Sequence, residues 1–237
     1  MNTRKTWLWM TVGIALVLAG CSPRLRVGEL RTESQSVKVG DAEMVRAEVE
    51  FGAGRLEVTG GAQDLLEADF TYNVDALKPE VEFTGSSLAV RQPDVGGLPA
   101  VQGISDFRND WTLRFNDDVP MDLSLDIGAG DIDLRLAGLT LAGLDINQGA
   151  GISTIDLSGD WASDLDATIE TGAADVTVRL PSDVGVRVEV ESGPTAVTAT
   201  GFSKDGTTYT NAAYGVSDVT LRIKMQAGIG LIKLELQ

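Results

Sequence analysis

Val49-Glu50-Phe51-Gly52-Ala53-Gly54-Arg55-Leu56-Glu57-Val58 decides the fold. Apolar and polar residues alternate on both sides of a glycine pair, which is the period of two expected of a strand with one dry face and one wet face. The unit recurs at Gly128-Ala129-Gly130, Gly149-Ala150-Gly151, Gly172-Ala173-Ala174, Gly193-Pro194-Thr195 and Gly228-Ile229-Gly230. The middle four begin 21 to 23 residues apart. A fixed period in this range marks a stacked architecture in which each unit needs its neighbours to bury its core.

The columns around the glycines strengthen the repeat. Three residues before each first glycine stand Val49, Leu125, Ile146, Ile169, Val190 and Met225, and two positions earlier Ala47, Leu123, Leu144, Ala167, Val188 and Ile223. Four residues after it stand Leu56, Ile132, Ser153, Val176, Val197 and Ile232, and six after it Val58, Leu134, Ile155, Val178, Ala199 and Leu234. Each unit therefore reads as strand, glycine turn, strand. The structural glycines are Gly52, Gly54, Gly128, Gly130, Gly149, Gly151, Gly172, Gly193, Gly228 and Gly230. They belong there because the turn needs positive φ and because adjacent coils approach closely. The expected fold class is all-β, a repeat-built solenoid or rack of short strands with glycine turns.

Around this repeat the chain divides into four parts. Residues 1–20 read as a signal peptide: Arg4 and Lys5 precede the apolar run Trp7 to Leu18, which ends in Leu18-Ala19-Gly20-Cys21. That ending resembles a bacterial lipobox, which makes Cys21 the acylated first residue of the mature protein. The run is too short for a transmembrane helix, which needs about 20 apolar residues. Residues 21–43 are expected to be a lipidated flexible tether, since Ser22 to Asp41 is mostly polar and lacks amphipathic order. Residues 44–120 hold the first unit and strand-like runs at Leu65–Asn73, Val81–Thr84, Ser87–Arg91 and Trp111–Phe115, with a Gly, Pro and Asp-rich loop from Pro93 to Asp110. Residues 121–237 form the repeat stack, continuous with the preceding part. Within it Phe202 to Ser217 is an insertion carrying Tyr209, Asn211 and Tyr214, suited either to a binding surface or to capping an open end.

Without residues 1–20 the chain has 35 acidic and 17 basic side chains, a net charge of −18. Such a surface repels nucleic acid and anionic headgroups. Cations, basic peptides and neutral glycans remain as partners. Cys21 is the one cysteine, so no disulfide or thiolate metal site forms within one chain. Oligomeric state is left open at this point.

These residues resemble the bacterial toast-rack proteins, the group that includes the extracytoplasmic domain of LiaF-type cell-wall-active antibiotic response proteins. The resemblance rests on Val49 to Val58, on Leu66-Glu67-Ala68-Asp69-Phe70-Thr71-Tyr72-Asn73 and on Ile127-Gly128-Ala129-Gly130. It continues in Leu180-Pro181 and in Tyr209-Thr210-Asn211-Ala212-Ala213-Tyr214. It implies a β-strand stack on the outer side of a membrane, with roles in envelope-stress sensing or adhesion and with no catalytic residues.

The chain contains no histidine, the commonest general base and metal ligand. Asp131 with Asp133, and Asp156 with Asp175, are the carboxylates that a polysaccharide-active β-helix enzyme would use, but exposed ionised carboxylates are poor proton donors. A different column is more informative. Two residues before each first glycine stand Glu50, Asp126, Asn147, Glu170, Glu191 and Gln226. With coils about 4.8 Å apart, Asp126, Asn147, Glu170 and Glu191 would form a ladder of oxygens, a weak candidate for Ca²⁺ or for a basic partner. Against this, each side chain simply faces water or caps a neighbour. Trp111, Trp161 and Tyr209 are candidates for stacking on a sugar ring, or else core residues. No phosphate-binding lysine follows any Gly-Ala-Gly, and no cofactor is implied. The reading is a lipid-anchored extracytoplasmic interaction module of the cell envelope rather than an enzyme. Its partners are the membrane through Cys21 and an envelope protein or glycan, and an adhesive or glycan-binding lipoprotein is the alternative.

Overall fold

The computed structural model describes residues 26–93 and 106–237. The segment 1–20 expected as a signal peptide, Cys21, the start of the expected tether and most of the Pro93–Asp110 loop lie outside the described residues. The described strands are β1 (Arg31–Val37), β2 (Val45–Thr59), β3 (Leu66–Tyr72), β4 (Glu80–Thr84), β5 (Ser87–Arg91), β6 (Asn109–Phe115) and β7 (Met121–Arg135). They continue with β8 (Leu141–Asp156), β9 (Leu165–Leu180), β10 (Gly185–Ser192), β11 (Thr195–Thr200), β12 (Ser203–Asp205), β13 (Thr208–Thr210) and β14 (Thr220–Leu236). All 14 belong to one sheet. One 3-10 turn, Asp75–Leu77, interrupts the β structure.

Five strands, β2, β7, β8, β9 and β14, are 15 to 17 residues long and carry a glycine unit in mid-strand. The two short strands and turn expected of each unit are thus one continuous strand with a bend. Neighbouring units pair in parallel and in register through the bend, as the row Ala53, Ala129, Ala150, Ala173, Ile229 records. The burial pattern explains the bend. Val49 and Phe51 are buried before it and Leu56 and Val58 after it, an odd spacing that would put the two sets on opposite faces of a flat strand. Bending returns the second arm to the same interior. Phe51 on the first arm of β2 accordingly meets Trp111, on the strand beside the second arm, edge to face at 5.1 Å.

Two separate demands select glycine here. Gly130 has φ +156°, beyond what side chains readily adopt, and a Cβ on it would overlap the Gly54 carbonyl oxygen of the strand below. Gly128 needs no positive φ, yet its Cβ would overlap the Gly52 carbonyl oxygen. At these glycines the stack closes to β-sheet spacing because no side chain stands between one backbone and the next, whereas in β9 Ala174 takes the second place without positive φ.

The inward columns lie where the alternation puts them. All twelve residues of the two columns before the glycines are at most 4% exposed. After the bend, Leu56, Ile132, Val176, Ile232, Val58, Leu134, Ile155, Val178 and Leu234 are buried, and Val197 and Ala199 on β11 are half-buried. Both arms feed a single hydrophobic core. Each fully buried aliphatic side chain contributes about 1.5–3 kcal/mol.

Two features differ from the sequence reading, and a third decides between two alternatives that it offers. First, the spatial order is β9–β14–β10, so the last unit in the chain enters between the fourth and fifth. Pro194 supplies the reason. It has no N–H to donate and divides its unit into β10 and β11, which suits an end position, while the uninterrupted β14 pairs with β9 along 15 residues. Second, part of the segment expected as a flexible tether is a strand. β1 pairs antiparallel with β3 from Arg31–Tyr72 to Val37–Leu66. As an edge strand it buries little, so its polar sequence carries no alternation strong enough to read. Third, the Phe202–Ser217 insertion acts as a cap: β13 pairs with β10, Tyr209 is buried, and Asn211 is a structural knot. Asn211 Oδ1 accepts from the Val186 N–H at 2.9 Å, and its Nδ2 donates to the Val184 carbonyl at 2.7 Å and the Pro181 carbonyl at 3.3 Å.

Candidate functional site

The outward column before the glycines is continuous across the sheet. Register pairing places Arg91, Glu50, Asp126, Asn147, Glu170, Gln226 and Glu191 side by side in that order. The four-residue ladder expected from chain order is therefore corrected. Gln226 stands between Glu170 and Glu191, because β14 stands between β9 and β10.

This order changes the electrostatics. Amides separate Asp126 from Glu170 and Glu170 from Glu191, which relieves repulsion between carboxylates on adjacent strands. Asn147 Nδ2 donates to Asp126 Oδ1 at 3.0 Å. The directly adjacent acids, Glu50 and Asp126, are compensated from the side. Arg91 Nε lies 3.0 Å from Glu50 and its Nη2 lies 2.5 Å from Glu48, contacts that hold the guanidinium more firmly in its charged form. Arg91 was not among the sequence candidates. Its signal was its place at the end of a predicted strand, visible only once that strand is paired with β2.

At the open half of the row, Asn147, Glu170, Gln226 and Glu191 line a surface groove of about 560 Å³, floored near the bend by Gly172 and Gly228. The groove offers carboxylate and amide oxygens with few apolar atoms. With Glu170 and Glu191 two strand spacings apart, about 9.6 Å, they do not converge on one ion. No group of three or more Asp, Glu, Cys or His side chains suited to a metal occurs among the described residues. What the row can do chemically is accept hydrogen bonds from a polar or cationic partner laid across the strands.

The other candidates have structural partners. Asp131 pairs with Arg55 at 3.1 Å and Asp133 with Arg135 at 3.1 Å. Asp156 accepts from the Ser158 hydroxyl at 2.6 Å, and Asp175 from the Leu231 N–H at 2.9 Å. Trp111 is buried between Phe51 and Phe70, with Nε1 donating to Asn109 Oδ1 at 2.9 Å. Trp161 donates to the Leu157 carbonyl at 2.8 Å and packs against the core. With Tyr209 buried as well, these three rings form no shared platform for a sugar. Among the described residues no helix is long and apolar enough to cross a membrane.

Comparison with known proteins fits this architecture. The family model for the N-terminal domain of toast_rack, DUF2154, matches residues 26–179. The crystal structure of a candidate cell adhesion protein from Clostridium sporogenes superposes with a TM-score of 0.85 at 28% identity, over 88% of this chain and all of that one. A candidate adhesin from Bacteroides fragilis aligns over 87% of this chain and 97% of its own, at 12% identity and a TM-score of 0.33. No curated protein sequence matches the chain.

Proposed function

The chain belongs to the toast-rack family, and from that premise we propose that it is a lipid-anchored adhesive module, held outside the cytoplasm by Cys21, that docks partners along its acid and amide row. The observation that carries the reading is the groove lined by Asn147, Glu170, Gln226 and Glu191 on a stack of which 88% of the chain superposes on a candidate cell adhesion protein. A row of acceptors spaced at the strand interval suits an extended ligand crossing several strands, either a glycan chain offering hydroxyls or a basic peptide. Such a site positions a partner and needs no proton donor. Anchoring rests on Leu18-Ala19-Gly20-Cys21. Three acyl chains, the number implied by resemblance to mature lipoproteins, would make release slow at about 0.8 kcal/mol per buried CH₂. Envelope-stress sensing, the other role that the family resemblance implies, would use the same partner surface.

The experiment is retention of purified protein on isolated envelope, with and without chelator. The double variant Glu170→Lys with Glu191→Lys should lose retention about tenfold, while Glu57→Lys on the second arm should retain it. Equal retention by both variants would overturn the assignment of the row. Loss on chelation alone would replace direct docking by cation bridging.

A further inference from the structure

The two ends of the stack are unequal in a complementary way. Among the described residues, beyond β14 the first arm continues through three strands, β10, β13 and β12, whereas the second arm continues through β11 alone. Beyond β2 the imbalance is reversed: the first arm adds two strands, β5 and β4, and the second arm adds three, β6, β3 and β1. One end therefore lacks strands on the arm where the other end has them in excess.

The vacancy beside β11 has the character of a docking edge. Among the described residues nothing pairs with its outer side. Its sequence, Thr195-Ala196-Val197-Thr198-Ala199-Thr200, has no charge and no proline, the devices that normally blunt an exposed edge. The other free edges carry charge: Arg31 and Glu33 on β1, Glu80 and Glu82 on β4, Lys204 and Asp205 on β12. Between the inner face of β11 and the overhanging β13 is a cavity of about 250 Å³, lined by Thr195, Val197, Lys204, Thr207 and Tyr209 among others. Lys204 Nζ lies 5.1 Å from the Tyr209 ring centre.

We propose that a second copy of this chain fills the vacancy, its β1 adding in parallel to β11, so that copies join head to tail. β1 is the matching edge. It runs parallel to the long strands, and its inward residues Glu33 and Gln35 continue the core-facing rows through Phe70 and Ala68. Placed beside β11, these polar groups face the Lys204 cation. An isologous pairing of β11 with its own copy does not fit, because the two β12–β13 overhangs would occupy the same space. In the head-to-tail joint, four strands lie between β14 and the next β2 on the second arm and five on the first. The difference of one spacing, about 4.8 Å, tilts each copy on the last. A heterologous contact of this kind joins copies into a curved filament, or into a ring where the tilt closes. The proposal stands independently of the docking row.

Cross-linking tests it. Thr198 on β11 and Ser34 on β1 are both exposed, and register pairing places them in one outward row across the whole sheet. In the full chain carrying Cys21→Ser, Thr198→Cys protein and Ser34→Cys protein are mixed, oxidised and run without reductant. The mixture should give at least tenfold more cross-linked dimer than either protein alone, and the double variant should give a ladder of multimers. No excess in the mixture from variants that melt like the parent, or self-linking of a single variant to the same extent, would overturn the head-to-tail joint.

Discussion

The middle of the stack and its two ends solve the same problem by different means. In β7, β8 and β9 each bend is satisfied by the bends on either side, backbone to backbone, and the crest needs nothing but small residues. At the ends the bent strand is divided, and side chains replace the missing neighbour. Asn109 Nδ2 donates to the Ala53 carbonyl at 2.7 Å, and Gln92 Oε1 accepts from the Gly52 N–H at 3.1 Å. At the other end Thr195 Oγ1 donates to the Gly228 carbonyl at 3.1 Å. Interior units are interchangeable, whereas the ends are individual.

The largest effect is expected in the interior. Ile169 is fully buried on β9, so Ile169→Asp places an unpaired charge in the shared core and should cost more than about 4 kcal/mol in urea unfolding, while Asp133→Asn, on the wet face, should stay within about 0.5 kcal/mol. Comparable losses in the two variants would dissolve the distinction between inner and outer faces. At the C-terminal end, Asn211→Ala strips partners from three backbone groups and should cost about 2–3 kcal/mol. Hydrogen exchange should show that loss in β10 and β13 before it appears in β7, and uniform loss of protection would mean that the ends are not separate from the middle.

Smaller effects sharpen the contrast. Ser153 stands in a column otherwise made of Leu, Ile and Val, and its buried hydroxyl has no hydrogen-bond partner. Ser153→Ala should stabilise the protein by about 1 kcal/mol in the same unfolding assay, and a loss would reveal a role for the hydroxyl. The smallest effect belongs to the edge. The Tyr72 hydroxyl and then the Lys78 ammonium hold the Glu33 carboxyl below its ordinary value of 4.5. Because the folded value is the lower one, the tie between β1 and the body is present above that ordinary value and is lost as pH falls through the folded one. Protection of β1 amides should therefore fade as pH is lowered from neutral to below that ordinary value, before the interior responds. Constant protection across that range would remove Glu33 from the account.

What the sequence disclosed follows from the same contrast. Alternation reports which face of a strand is dry, so the four inward columns and the acid and amide column are read directly from Ala47 to Val58 and their repeats. Alternation does not report which strand lies next door. Gln226 therefore stood outside the expected ladder until β14 was found between β9 and β10, although Pro194, in the place of the central alanine, was the one local mark that its unit sits at an end. β1 was illegible for a physical reason: an edge strand with one neighbour needs few apolar residues. The glycine pair does not distinguish a turn from a bend, because both use positive φ, as at Gly54, Gly130, Gly151 and Gly230.

The most direct test of the central claim, that bent strands stack in contact at their glycines, compares two substitutions at positive φ. Gly130→Ala adds a methyl group that overlaps the Gly54 carbonyl oxygen of the strand below, whereas Gly61→Ala, at φ +92°, meets nothing within 4 Å. Urea unfolding should show a loss of about 1–2 kcal/mol for Gly61→Ala, from backbone strain alone, and of more than about 4 kcal/mol for Gly130→Ala. Losses within about 1 kcal/mol of each other would contradict a crest packed backbone against backbone.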